Sequence, residues 1–235
     1  MLAGSTLFGR ARRAALDLLF PPRCAACGRG GAFICDACAA ALVAAAPPRC
    51  PRCWRPGADT GPCFECQSAP PAFDGLRAAF VYQGVARELV HALKYRGLSA
   101  LAVSMASSLT GPARVPGLVA EAVVPVPLSG LRRRTRGYNQ AELLARELAR
   151  ELGLPLLPRA LRRVRSAPPQ ARSAGADERR RNVEGAFASR DVAVAGRRIL
   201  LIDDVTTTGA TLDSCATALK AAGAVSVWAL AFARD

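Results

Sequence analysis

The chain has 235 residues, 51% of them apolar and 21% charged, which suits a soluble globular protein with one ordinary domain and one small one. Its longest apolar runs, such as 192–196 and 199–202, are far too short to span a bilayer, so no membrane span is expected. The net charge of +14 is almost all arginine, with Lys94 and Lys220 the only lysines, and residues 132–181 hold fourteen arginines against five acids. A coding bias toward arginine and a polyanionic ligand both account for this, since guanidinium pairs well with phosphate.

In chain order, Arg10, Arg12 and Arg13 precede a short apolar stretch that contains Asp17 and stops at Pro21-Pro22. A secretory signal needs an uncharged apolar run and a small-residue cleavage site. Residues 7–20 read instead as a short amphipathic helix, with an arginine-rich organelle-targeting segment as the alternative. A cytoplasmic location is expected.

Eight of the nine cysteines then fall into four C-x-x-C pairs: 24/27 and 35/38, then 50/53 and 63/66. Two such knuckles close one tetrahedral Zn²⁺ site with no open position. Glycines 28, 30 and 31, then 57 and 61, supply the turns between them. Two structural zinc ions are expected, one on Cys24, Cys27, Cys35 and Cys38 and one on Cys50, Cys53, Cys63 and Cys66. Interleaved sharing is the open alternative. Redox chemistry is the rival reading, but the strand-helix context of a redox C-x-x-C motif is missing. Trp54, inside a knuckle, is expected to pack the small domain, which is read as residues 1–71, with stacking on a base as the alternative.

A Pro-rich linker (67–71) leads into the second domain, residues 72–235. A strand is expected over 78–82, then a helix carrying Val85, Leu89, Ala92 and Leu93 that ends at Gly97, then a helix over 101–109. His91 on the first of these is expected to be partly buried. A buried strand follows at 122–126. Asn139, with Glu142 three places on, has the pattern of a capping box for a helix running to Leu152 and stopped by Gly153. A short strand is expected at 154–157. Residues 166–182 are rich in Pro, Gly and Arg and poor in large apolar side chains, as a long functional loop would be. A buried strand (198–202), a helix (211–222) holding Cys215 as a small core residue, and a strand (225–232) complete a β-α-β alternation. That alternation implies a parallel sheet covered on both faces.

The chemistry concentrates in residues 199–212, I-L-L-I-D-D-V-T-T-T-G-A-T-L. A buried strand ends in Asp203 and Asp204, and Val205, Thr206, Thr207, Thr208, Gly209, Ala210 and Thr211 lead into a helix. Small residues leave backbone N–H groups open to an anion, threonine hydroxyls add donors, and the helix contributes its positive end. A monophosphate suits the loop. The two carboxylates suit the vicinal hydroxyls of a ribose, and one of them can help to hold Mg²⁺.

This segment resembles the signature of type I phosphoribosyltransferases. More narrowly, the whole chain resembles the ComF family, competence-associated proteins that join a double zinc ribbon to such a domain. The resemblance runs through 16–28 (L-D-L-L-F-P-P-R-C-A-A-C-G), 93–97 (L-K-Y-R-G), P-V-P-L and R-G-Y-N-Q within 124–140, Gln170, and 181–187 (R-N-V-E-G-A-F). Around 166–173 the chain departs from the family pattern. The resemblance implies an α/β, type I phosphoribosyltransferase fold, a parallel sheet flanked by helices, with a small N-terminal double zinc-ribbon domain. It implies binding of phosphoribosyl diphosphate with Mg²⁺ and transfer to an acceptor that no motif identifies. Asp203, Asp204, Arg136 and Gln170 would serve catalysis, and residues 205–211 would hold the 5-phosphate. The loop 125–131 with Arg132, Arg133, Arg134 and Arg136 would neutralise the diphosphate, and 166–182 would close as a flap. It further implies handling of imported single-stranded DNA alongside competence-machinery proteins. The alternative is a non-catalytic sensor of phosphoribosyl diphosphate or a nucleotide, with ribbons that bind DNA or protein.

Overall fold

The computed structural model describes residues 21–57, 61–165, 183, 185–189 and 191–235. Its first part is two knuckled segments. In each, the second C-x-x-C opens a single helical turn, α1 (Asp36–Ala40) after Cys35 and α2 (Phe64–Ser68) after Cys63. The cysteines group sequentially, 24/27/35/38 and 50/53/63/66.

The rest is built on four parallel strands: β1 (Gly75–Val81), β2 (Ala122–Pro125), β5 (Arg198–Thr206) and β6 (Ser226–Arg234), in the order β1-β6-β5-β2. β5 is central, and Ile199, Leu200, Leu201 and Ile202 are wholly buried, as a strand covered on both faces must be. Leu200 and Ile202 face α3 (Gly84–Tyr95), α4 (Leu101–Ser107) and α6 (Gln140–Leu152). Ile199 and Leu201 face α7 (Ala210–Ala221) and share their core with Cys50, Cys53 and Cys66 of the second ribbon. That ribbon is therefore part of one wall of the sheet.

Both sheet edges are covered. Residues 43–45, between the ribbons, lie antiparallel to β1: Ala45 N–H donates to the Ala79 carbonyl at 2.9 Å and Val81 N–H to the Val43 carbonyl at 2.9 Å. Along β2, Val123 N–H donates to the Pro155 carbonyl and Leu157 N–H to the Val123 carbonyl. The strand expected at 154–157 is thus reduced to a single parallel bridge at Leu156.

Several elements differ from the sequence expectation. β5 does not stop at residue 202 but continues through both aspartates to Thr206, because β6 pairs with it to Arg234. The arginine cluster lies on a short helix, α5 (Gly130–Arg136), capped by Ser129 Oγ and ended by Gly137 at φ 80°. Asn139 caps α6 through its side chain, but the capping box is not closed, since Glu142 pairs with Arg146 one turn on. His91 is exposed rather than partly buried, its ring 4.8 Å from that of Tyr95. A two-stranded antiparallel ribbon of β3 (Arg162–Arg163) and β4 (Phe187–Ala188) joins the two ends of the long loop. The loop itself, 166–182, lies outside the described residues, as does the helix expected over 7–20. Cys215 is fully buried as expected, and Trp54 packs, its Nε1 donating to the Ala45 carbonyl at 3.0 Å. Among the described residues no helix is long and apolar enough to cross a membrane.

Candidate active site

From β2 the chain moves outward to the Leu156 edge, whereas from β5 it moves the opposite way to β6. Such a reversal opens a crevice at the carboxyl ends of the two strands, where open α/β sheets bind ligands. A cavity of about 400 Å³ lies there. Its walls are Lys94 and Tyr95 from the end of α3, residues 126–128 after β2, Arg132 and Arg136 of α5, and residues 139–141. Arg163 of β3, residues 203–205 of β5 and Thr211 complete them.

The two aspartates point to opposite faces of the sheet, following the alternation of the strand. Asp203 continues the row of Ile199 and Leu201, and Asp204 that of Leu200 and Ile202. Asp204 is buried, and its Oδ2 lies 2.7 Å from Lys94 Nζ. Asp203 Oδ1 accepts the backbone N–H of Asp204 at 2.8 Å. Burial, and then the neighbouring Asp204 charge, push the Asp203 carboxyl well above its ordinary value, with Lys94 opposing. For the Lys94 ammonium, burial pulls down but Asp204 and Asp203 outweigh it, so it stays charged.

Beyond β5 the chain turns through Thr207, Thr208 and Gly209 into α7. Gly209 caps that helix at φ 82°, a conformation that favours glycine. Thr208 Oγ1 accepts the Ala210 N–H at 3.3 Å. The backbone N–H groups of Thr207, Thr208 and Gly209 find no acceptor among the described residues, which leaves them free for an anion. The first turn of α7, which follows the loop, is tied to the segment after the second ribbon. Ala72 N–H donates to Asp213 Oδ1 at 2.6 Å, and a smaller cavity of about 110 Å³ separates Cys53 and Cys66 from Thr208 and Gly209.

On the opposite rim, Arg136 is held by three contacts. It donates to Gln140 Oε1 and to the Tyr95 hydroxyl, each at 3.1 Å, and its guanidinium lies 4.8 Å from the Tyr95 ring centre. Arg163 packs over Phe187 and donates to the Arg165 carbonyl. Burial, and then Arg132, hold it below its ordinary value. Asn139 does more than cap, for its Nδ2 donates to the Val126 carbonyl at 2.9 Å and ties α6 to the loop after β2. Asp203, Asp204, Val205, Thr211 and Arg136 thus share one cavity, and Thr206–Ala210 adjoin it. Gln170 lies outside the described residues. Sequence reasoning missed Lys94 and Arg163 as cavity residues.

Each Cys₄ group has its four sulfurs within 4.8 Å of one another, with Cys27–Cys35 and Cys53–Cys63 at 3.6 Å. A tetrahedral site with Zn–S of about 2.3 Å has edges of about 3.8 Å, so both groups fit zinc. Against the cost of burial, the N–H groups of Cys35, Cys27 and Ala26 bring the Cys24 thiol down to about 6. Those of Cys53, Cys63 and Arg52 do the same for Cys50, also to about 6. These N–H donors stabilise thiolates, the form that binds metal.

Both parts of this architecture match known families. Residues 15–67 match a double zinc ribbon domain and residues 135–234 a phosphoribosyl transferase domain. The chain is 35% identical over 204 residues to the DNA utilization protein YhgH of Salmonella typhi, covering 84% of this chain and 89% of that one. It is 42% identical over 118 residues to Competence protein F of Haemophilus influenzae, covering 47% of this chain and half the length of that relative. Among solved structures, a purine phosphoribosyltransferase from Pyrococcus horikoshii Ot3 is 17% identical. It aligns at a TM-score of 0.32, covering 60% of this chain and 75% of that one.

Proposed function

The chain belongs to the ComF family, and we propose that it binds phosphoribosyl diphosphate with Mg²⁺ in the β2/β5 crevice and transfers the phosphoribosyl group to an acceptor. The observation that carries this is the meeting of a pair of carboxylates and a wall of cations in one cavity, with the open loop amides beside it. The loop of Thr206–Ala210 takes the 5-phosphate, with Gly209 allowing its close approach. Asp203 and Asp204 accept hydrogen bonds from the ribose hydroxyls. Arg132, Arg136, Lys94 and Arg163 face the diphosphate, whose charge grows as its bond to the anomeric carbon breaks. Cations fixed in advance stabilise that developing charge without having to reorganise. The carboxylate oxygens of Asp203 and Asp204 suit the hard cation Mg²⁺. When bound, Mg²⁺ neutralises part of the diphosphate charge. The Arg136 contacts with Gln140 and Tyr95 keep its guanidinium at the rim of the cavity. Gln170 is assigned to catalysis by family resemblance alone.

The relatives' names connect them with DNA utilization and competence, and we carry a single-stranded DNA partner over to this chain as part of the proposal. Exposed Arg133 and Arg134 on α5 support it. A sensor that binds without turnover is favoured by one observation, that the loop and the second ribbon line a shared small cavity, which brings a ligand on the loop close to the ribbon. Calorimetric titration of phosphoribosyl diphosphate with Mg²⁺ tests the site. The Asp203→Asn/Asp204→Asn variant is expected to bind at least about tenfold more weakly, since hydrogen bonds to charged groups contribute roughly 1.5–3 kcal/mol each. Unchanged affinity would overturn the site. Release of diphosphate on adding candidate acceptors, a single-stranded oligonucleotide among them, separates enzyme from sensor.

A further inference from the structure

We propose that Lys94 changes partner as the substrate binds: paired with Asp204 here, it yields that carboxylate to the ribose hydroxyls and moves onto an oxygen of the diphosphate. The inference rests on the reading of the cavity as a phosphoribosyl diphosphate site and deepens it by giving a role to a residue that lies before the matched transferase domain, residues 135–234.

The geometry carries it as follows. Lys94 Nζ has one partner among the described residues, Asp204 Oδ2 in an ion pair at 2.7 Å, and that oxygen accepts no hydrogen bond from any described residue. The pair is self-contained, so the arrival of hydroxyl donors at Asp204 leaves a mostly buried ammonium without its partner. The backbone beneath it is fixed. The Tyr138 hydroxyl donates to the Leu93 carbonyl at 2.5 Å, and the Arg96 side chain donates to the Ala25 carbonyl at 2.9 Å. The four-carbon stem is therefore the part free to swing, over a few ångströms and within the same cavity. The direction of the swing follows from charge. Arg132 and Arg136 line the wall beside Lys94, so the anion belongs on that side, away from the loop that takes the 5-phosphate. A diphosphate brought to a wall that also displays Asp203 and Asp204 meets like charge, and an intervening ammonium reverses the sign of that encounter. In a chain where almost every other cation is an arginine, the ammonium at this position is compact and carries three donors. It can hold a carboxylate and a phosphate oxygen at once during the exchange, which a planar guanidinium facing one carboxylate does less well.

The test separates the two halves of the substrate. Ribose 5-phosphate with Mg²⁺ present, and inorganic diphosphate with Mg²⁺ omitted so that a cation held by the carboxylates does not enter its reading, are titrated individually by calorimetry. Asp204→Asn frees Lys94 and removes a negative charge. It is expected to bind ribose 5-phosphate about tenfold more weakly and diphosphate about threefold more tightly, a change of opposite sign. Lys94→Met is expected to bind diphosphate at least about tenfold more weakly while ribose 5-phosphate stays within about threefold. Lys94→Arg is expected to recover part of the diphosphate affinity. Because Lys94→Met strands a buried carboxylate, Lys94→Met/Asp204→Asn serves as the folded control, and its diphosphate affinity should stay as low as that of Lys94→Met. Diphosphate affinity unchanged in Lys94→Met or its control, or weakened in Asp204→Asn, overturns the exchange. Binding of neither compound by the wild-type chain overturns the cavity reading, and the exchange with it.

Discussion

The buried ring of Phe73 lies beneath Gly209, so near that a β-carbon added to the glycine would touch it at 3.7 Å. The loop proposed to hold phosphate is thus supported by a residue of the segment that leads from the second ribbon into β1. A contact at 3.7 Å is ordinary van der Waals packing, and the obstacle to a side chain at Gly209 is its φ of 82°. Gly209→Ala is expected to cost about 1–2 kcal/mol through the left-handed backbone. In a chain of this size that lowers the melting temperature by roughly 2–8 °C. The relaxed loop should also bind phosphoribosyl diphosphate more weakly. An unchanged melting curve would show that the turn tolerates a side chain.

The two ribbons should differ in what they support. Reductant-purified protein is expected to carry two zinc ions per chain, one on each Cys₄ group. Cys50, Cys53 and Cys66 belong to the main core with Leu201 and Leu212, whereas Cys24, Cys35 and Cys38 form a separate small cluster. Cys53→Ser should therefore lower the stability of the whole transferase domain and weaken ligand binding, while Cys27→Ser, at an exposed ligand, acts locally. Elemental analysis counts the ions, and thermal melting with ligand titration compares the variants. Equal losses of ligand affinity from the two changes would contradict the asymmetry.

Asp203 gives a pH signature. Its folded carboxyl titrates well above the ordinary 3.8, so between that value and the folded one the native state holds a proton that the unfolded state has lost. By linkage, stability falls as pH rises through this window and stays reduced above it. Asp203→Asn removes the effect. It is expected to raise the melting temperature at pH 7 and to matter little near pH 4. Each unit of elevation corresponds to about 1.4 kcal/mol, which is a shift of a few degrees. Melting curves measured from pH 4 to pH 8 on both proteins check the sign.

Binding to single-stranded DNA should be salt-sensitive and nearly blind to sequence. Phosphate contacts release counterions, so affinity is expected to drop steeply between about 50 and 200 mM salt. Arg132→Ala/Arg133→Ala/Arg134→Ala should weaken binding and flatten the salt slope by up to about three contacts. Fluorescence anisotropy on two unrelated oligonucleotides reads both. A salt-independent affinity would remove the electrostatic account.

Much of the site was legible because its parts are adjacent in sequence. The strand, the two aspartates, the small-residue loop and the helix lie within residues 199–212, and their order alone put the proposed anion loop at a strand end. The cysteine spacing was equally local. Lys94 and Arg163 escaped because they reach the cavity only through tertiary packing, from the end of α3 and from a two-residue strand that no periodicity reveals. One signal was available. The chain's two lysines, against thirty arginines, both bond an aspartate, Lys94 with Asp204 and Lys220 with Asp74 at 2.9 Å. In so arginine-rich a chain, each lysine marks a place where a compact ammonium fits. The extension of β5 past residue 202 was hidden for a different reason. Aspartates are poor strand formers, and only pairing with β6 keeps them extended.

The pairing of residues 43–45 with β1 bears on how this protein can be divided. A chain begun at residue 72 would look like a complete transferase domain, yet β1 would present unprotected N–H and C=O groups along the edge now taken by Val43 and Ala45. The apolar wall that Cys50, Cys53 and Cys66 now cover would be bare as well. An exposed edge beside an exposed apolar face recruits further copies of itself, so the shortened protein should collect in inclusion bodies or as soluble aggregates.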